Sequence, residues 1–216
     1  MATNLQPKTK MLNVGITGGM GSGKTTVCKM FEALGVPVYN SDERAKHLMN
    51  HEHFLIDQIK KHFGEEAYTD GTLNRKLLAD RVFNDKSLLT QLNVLVHPVV
   101  FRDTERWLNE QVEKKVPYTL REAALLVETG SYKMLDKLIV VTAPIGDRVE
   151  RITKRDNVST ADIQARMNNQ LEESEKIKLA DYVITNDKDI AHLEAQVIKI
   201  HHALLKLVSK KKKQSQ

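Results

Sequence analysis

Hydrophobic and polar positions fall into blocks along this chain, and the blocks switch between two periods. Leu12-Asn13-Val14-Gly15-Ile16-Thr17 alternates as a short buried strand does and runs straight into a glycine cluster. Thr25 to Leu34 then carries Val27, Cys28, Phe31 and Leu34 at helical spacing, with Gly35 at the stop position. Val36-Pro37-Val38-Tyr39 reads as a second strand, followed by a helix with Ser41 or Asp42 at its cap and Ala45, Leu48 and Met49 facing inward. To about Trp107 the pattern is helical throughout, with a turn at Asp70-Gly71 and a break at Pro98. Tyr118 to Val127 and Leu138 to Ala143 are apolar runs typical of parallel strands covered on both faces. A charged helix begins near Asp147, another at Ser159-Thr160, and Tyr182 to Thr185 supplies one more strand. The last helix, from about Asp189, lines up Leu193, Val197, Ile200, Leu204 and Leu207. Strands separated by helices predict an α/β fold with a parallel sheet, whose ligands bind at the carboxyl ends of the strands.

Composition narrows the class. The chain has 216 residues, 41% hydrophobic and 28% charged, which suits a globular α/β domain and excludes a fibrous or disordered architecture. No apolar run reaches the roughly 20 residues that span a bilayer, and Met1 to Lys10 lacks the apolar core of a signal peptide; a cytoplasmic protein without membrane association is expected. A single cysteine, Cys28, excludes an internal disulfide framework. The net charge of +5 resides at the ends: removing Lys8, Lys10 and the run Lys210, Lys211, Lys212, Lys213 leaves −1. The body is near neutral, so no nucleic-acid partner is expected and the lysine run reads as a solvated tail.

The chemistry enters at Gly18-Gly19-Met20-Gly21-Ser22-Gly23-Lys24-Thr25, which satisfies G-x-x-x-x-G-K-[ST] between a strand and a helix. Glycines let the backbone wrap around phosphate oxygens, and the N–H groups with the helix N-terminus make an anion cradle. Lys24 is expected to reach the β- and γ-phosphates of ATP and the Thr25 hydroxyl to ligate Mg²⁺. Asp42, just past the second strand, is either a general base for an attacking hydroxyl or a helix N-cap, and its spacing does not separate the two. Arg148, Arg151 and Arg155 share one helix face, with Arg166 following, and suit the charge of a transferring phosphoryl group. Glu128 is either a holder of metal-bound water or a surface glutamate, and His97-Pro98 reads as a helix-breaking pair.

Together with Leu34-Gly35-Val36-Pro37-Val38-Tyr39-Asn40-Ser41-Asp42, the loop resembles the dephospho-CoA kinase family. The resemblance continues through Phe63-Gly64, Asp70-Gly71-Thr72-Leu73-Asn74-Arg75, Leu92-Asn93-Val94-Leu95-Val96-His97-Pro98, Leu125-Leu126-Val127-Glu128, Arg155-Asp156 and Ala180-Asp181-Tyr182-Val183-Ile184 with Asn186, covering residues 12 to 207. It implies a three-layer P-loop kinase fold that phosphorylates the ribose 3′-hydroxyl of dephospho-CoA with ATP and Mg²⁺. It further implies Asp42, Lys24, Arg148 and Arg151 as catalytic residues. Nucleotide contacts would come from Gly19, Met20, Gly21, Ser22, Gly23, Lys24, Thr25, Thr26, Arg151, Arg155 and Asn186, and acceptor contacts from Asp42, Arg75, His97 and Leu125. The expected layout is a disordered segment 1–10, one kinase domain over 11–207 and a disordered basic tail over 208–216. Within the domain, core segments 11–49, 108–147 and 176–207 would carry a helical insertion at about 50–107 and a lid at about 148–175. A monomer or small homo-oligomer is expected. Two positions depart from the family pattern: Asp-Ala-Asp reads Asn40-Ser41-Asp42, and the proline before Leu-Leu is Ala124. A GTPase is disfavoured because Asn186-Asp187-Lys188-Asp189 holds the guanine-reading residue types out of register.

Overall fold

The computed structural model describes residues 11–156, 163–164, 167 and 170–214. The segment 1–10, the helix start at Ser159-Thr160 and Arg166 lie outside the described residues. In chain order the elements are β1 (Leu12–Gly18), α1 (Lys24–Ala33), β2 (Val38–Asn40), α2 (Ser41–His51), α3 (His53–Phe63), β3 (Tyr68–Thr69), β4 (Thr72–Leu73), α4 (Arg75–Asn84) and α5 (Lys86–Glu113). There follow β5 (Tyr118–Glu122), β6 (Lys137–Thr142), α6 (Ile145–Asp156), α7 (Glu173–Leu179), β7 (Tyr182–Thr185) and α8 (Ile190–Gln214). The chain divides into two compact units, residues 1–39 with 111–216, and residues 40–110.

The larger unit is built on a sheet of order β2-β5-β1-β6-β7, in which β1 pairs in parallel with β5 and β6, and β6 with β7. Strand alternation sorts the side chains of β6: Ile139 and Val141 join one core, Leu138 and Val140 the opposite one. The first core packs Val14 and Ile16 against Val27 and Phe31 of α1 and Leu193, Val197, Ile200 and Leu204 of α8. The second contains Leu126 and Val127 from the β5–β6 connection. Both faces of the central strands are covered, which is why these strands read as near-continuous apolar runs.

The apolar run from Tyr118 does not stay a strand to Val127. It leaves the sheet after Glu122, and residues 124–130 close as turns, with Thr129 N donating to the Leu125 carbonyl and Gly130 N to the Val127 carbonyl, both at 3.0 Å. Leu126 and Val127 are apolar because they fill the second core, not because they extend β5. At the other end α8 continues past residue 207 to Gln214, so the tail is not disordered throughout. Val208 stands one turn beyond Leu204 on the same stripe and is buried with it, and the exposed Lys211 pairs with Asp136 at 2.7 Å.

The smaller unit begins at residue 40 and so takes α2 from the expected core. Within it Tyr68 donates its hydroxyl to the Met49 carbonyl at 2.6 Å, and Leu73 N donates to Asn50 Oδ1 at 2.9 Å, tying α2 to the β3–β4 hairpin. Asp70 and Gly71 both have positive φ, 51° and 75°, as a two-residue hairpin turn of the primed type requires. Pro98 does not break a helix here: α5 runs unbroken from Lys86 to Glu113. The proline forfeits one intrahelical hydrogen bond, while buried Val96, Val99 and Val100 hold the helix on both sides of it.

Deletion of Val208 onward should separate packing from charge. A chain ending at Leu207 is expected to lose about 1.5–3 kcal/mol of unfolding free energy in urea, the worth of a fully buried valine. A chain ending at Lys211 should melt within about 1 kcal/mol of the full chain.

Candidate active site

The parallel pairing of β1 brings its carboxyl end, Gly18, to the edge of the sheet, and the next five residues form a loop that feeds directly into α1. Gly21 and Gly23 have φ of +77° and +98°. A Cβ at Gly21 would stand 2.7 Å from the Arg148 carbonyl oxygen and 3.0 Å from Ile152 Cδ1, so only glycine fits. Ser22 N donates back to the Gly19 carbonyl at 3.2 Å, which tightens the loop. No side chain caps α1, and no acidic residue stands in its first turn. Its amino end therefore presents N–H groups and a positive dipole end where an anion fits.

Side chains from four other places converge on this loop. Lys24 Nζ donates to the carbonyls of Gly18 and Gly19 at 3.0 and 3.3 Å. Arg148, from the first turn of α6, is buried and donates its Nε to the Met20 carbonyl at 2.9 Å. Gln170 accepts from Met20 N at 3.1 Å, so both backbone groups of one loop residue are held. Asn186, after β7, donates Nδ2 to the Ser22 carbonyl at 2.9 Å and its own N to the Thr142 carbonyl at 2.8 Å. Arg151 donates Nη2 to the Asn186 carbonyl at 3.2 Å and stands 3.7 Å from Asp147, while its buried Nη1 has no hydrogen-bond partner among the described residues. Ser22 Oγ is likewise buried without a hydrogen-bond partner among the described residues. Thr25 and Thr26 are exposed in the first turn of α1, and Arg155 is exposed near the end of α6. A cavity of about 650 Å³ opens beside the loop, lined by Gly19, Thr142, Arg148, Gln170, Glu173 and Lys176 among others.

Glu128 does not end a strand. It lies in the turns after β5, with Oε1 2.6 Å from Nζ of Lys176 on α7, and Lys176 is 1% exposed. Nothing in the sequence pattern marks Lys176, which reads as one more charge on a short polar helix; only its neighbours show it as buried. Glu173, one turn earlier, stands 3.5 Å from Arg148 Nη1, and burial pushes its carboxyl above the usual range. Leu125 is exposed in the turn that follows β5.

The remaining candidates belong to the smaller unit. Asp42 is exposed in the first turn of α2, and neither it nor Ser41 caps that helix: Asn40 Oδ1 accepts from Glu43 N at 2.9 Å. The substitution of asparagine in the Asp-Ala-Asp pattern thus keeps a side chain that caps well. Arg75 is exposed at the start of α4, which Asn74 caps through Leu77 N at 3.1 Å. His97 is exposed on α5.

A parallel sheet whose first strand delivers a glycine loop into an uncapped helix, with lysine and arginines gathered on that loop, defines a P-loop kinase. The family model described as dephospho-CoA kinase matches residues 12–192, and the chain belongs to that family. It is 38% identical over 195 residues to the dephospho-CoA kinase of Salinibacter ruber, covering 90% of this chain and 98% of that protein. It is 37% identical over 195 residues to that of Aquifex aeolicus, with the same coverage. A crystal structure from Thermus thermophilus superposes with a TM-score of 0.78 at 32% identity, covering 89% of this chain and 97% of that one. Dephospho-CoA kinase from Campylobacter jejuni shares the fold, with a TM-score of 0.67 at 24% identity over 90% of this chain and 97% of that one.

Two measurements probe the loop and its helix. Gly21→Val should abolish calorimetrically detectable ATP binding while the folded far-UV circular dichroism is kept, because the loop loses its positive φ. The Cys28 thiol is pushed up to about 12, chiefly by burial and further by Glu122 and Glu32. It therefore stays protonated at pH 8, and a thiol reagent should react with the native protein far more slowly than with the protein in denaturant.

Proposed function

We propose the following residue roles for the family's reaction in this chain, the ATP-dependent phosphorylation of the ribose 3′-hydroxyl of dephospho-CoA to coenzyme A and ADP. The observation that carries the reading is the phosphate loop itself: a tight glycine turn with two positive φ values, leading into a helix whose amino end no side chain satisfies.

Lys24 exchanges its bonds to the Gly18 and Gly19 carbonyls for oxygens of the β- and γ-phosphates, a gain because a charged acceptor replaces neutral ones. Backbone N–H groups of the loop and of the first turn of α1 hold the phosphates, apart from Met20 N, which Gln170 engages. Arg148 and Arg151 stand against this loop through Met20 and Asn186, and take up the charge that spreads over the phosphoryl group as it transfers. Arg155 adds to that charge from the same helix, and Asn186 sets the Ser22 carbonyl and borders the adenine. Mg²⁺ neutralises phosphate charge when bound. The Thr25 hydroxyl would be a protein ligand to it, and among the described residues no group of three His, Cys, Asp or Glu side chains could hold a metal. That sparse donor set fits magnesium, which usually keeps water and phosphate oxygens as its other ligands.

Asp42 accepts the proton of the 3′-hydroxyl as that oxygen attacks the γ-phosphorus and the bond to ADP breaks. Its exposure, and the assignment of the capping function to Asn40, support a chemical role over a structural one. Arg75, His97 and Leu125 are proposed on the acceptor side, where a guanidinium suits the pyrophosphate of the substrate.

The purified protein with ATP, Mg²⁺ and dephospho-CoA should release ADP and coenzyme A in equal amounts, read by mass spectrometry; ADP without coenzyme A would remove the acceptor assignment. Asp42→Asn should keep ATP affinity and lower kcat by about 10²–10⁴-fold. Lys24→Ala should lower kcat/KM for ATP by about 10²-fold or more.

A further inference from the structure

Met20 in the phosphate loop has its backbone N–H and its carbonyl both held by side chains from elsewhere, Gln170 on one and Arg148 on the other. Both holders depend on the short segment that leads into α7. Gln170 lies in it, and Arg148 Nη1 is matched there by Glu173 at 3.5 Å. What fixes this segment is Glu128: its Oε1 accepts from Leu171 N at 3.2 Å and stands 2.6 Å from Lys176 Nζ. The lysine ammonium is buried, with Glu128 as its ion-pair partner and the charge of Glu173 acting on it as well, so losing the Glu128 carboxylate leaves a buried charge poorly compensated. Lys176 and Gly19 line the same cavity.

We propose that Glu128 and Lys176 are positioning residues for nucleotide binding, an ion pair of a buried lysine and a part-buried carboxylate that sets Gln170 and Glu173 so that Met20 holds the phosphate loop in its binding shape. The inference rests on the reading of this loop as the ATP site. The pair touches no reacting atom; it acts through Leu171 and Gln170 on one side and through Glu173 and Arg148 on the other. Glu173 is itself part-buried, and that burial raises its carboxyl above the usual range.

The test compares steady-state constants of the full chain with Lys176→Met, Glu128→Gln, the two combined, and Gln170→Ala. A single change strands one buried charge and endangers folding, so the combined variant, which removes both charges, carries the main comparison, with folding checked by thermal melting. The expected result for the combined variant and for Gln170→Ala is an ATP KM raised about tenfold, the scale on which misplacement of a binding group acts. The KM for dephospho-CoA and kcat should stay within about twofold of wild type, a split that general loss of structure would not produce. A folded combined variant with an unchanged ATP KM overturns the proposal. If the combined variant does not fold, an unchanged ATP KM in Gln170→Ala overturns it instead. Lys24→Ala separates the two levels: if it also leaves ATP binding unchanged, the loop reading itself fails, whereas loss of binding in Lys24→Ala alone removes only the clamp.

Discussion

The parallel pairing of β1 with β5 on one side and β6 on the other is the constraint on which the larger unit depends. Parallel neighbours place all their carboxyl ends together, so the loop after β1, the turns after β5, the start of α6 after β6 and Asn186 after β7 must meet at one edge. Each supplies a group to that edge: Gly19 to Gly23, Glu128, Arg148 and Asn186. The site is assembled by topology before any side chain is chosen. Parallel pairing needs long connections between strands; α1 follows β1 in this way, and the C-terminal α8 covers the same apolar face, which Phe31 and Leu204 fill.

What the side chains add is mainly control of the loop's backbone. Arg148, Gln170 and Asn186 all bond to loop peptide groups, and Lys24 turns back onto two loop carbonyls. A glycine-rich segment loses much conformational entropy on ordering, and these bonds offset part of that loss before phosphate arrives. Such preorganisation favours binding because fewer groups remain to be ordered by the ligand.

Much of this was legible in the sequence, and the reasons differ by element. The strand, loop and helix around Gly18 to Leu34 are local, and period and glycine placement define them within a residue. The run Tyr118 to Val127 misleads because apolarity reports burial, and Leu126 and Val127 are buried by a core that only the folded connection creates. Pro98 misleads for a related reason: the local rule against proline in a helix is outweighed by packing on both sides of it. Of the site, the loop and Arg148 follow from residue type and spacing. Lys176 and Gln170 do not, since their importance lies in partners 48 and 150 residues away in the chain. Asn40 shows the opposite case, where a departure from a family pattern becomes understandable once its capping bond is seen.

The helix that ends at Gln214 recasts the basic character of the whole chain. Its final turns carry the lysine run, and the carboxyl end of a helix is the negative end of its dipole, where cations are favoured. The isoelectric point near 9.1 therefore owes most to lysines at the two ends of the sequence, the larger share of them on this helix. The phosphate loop has a different electrostatic character, set locally by the uncapped amino end of α1 and by Lys24 and Arg148 rather than by the charge of the whole chain.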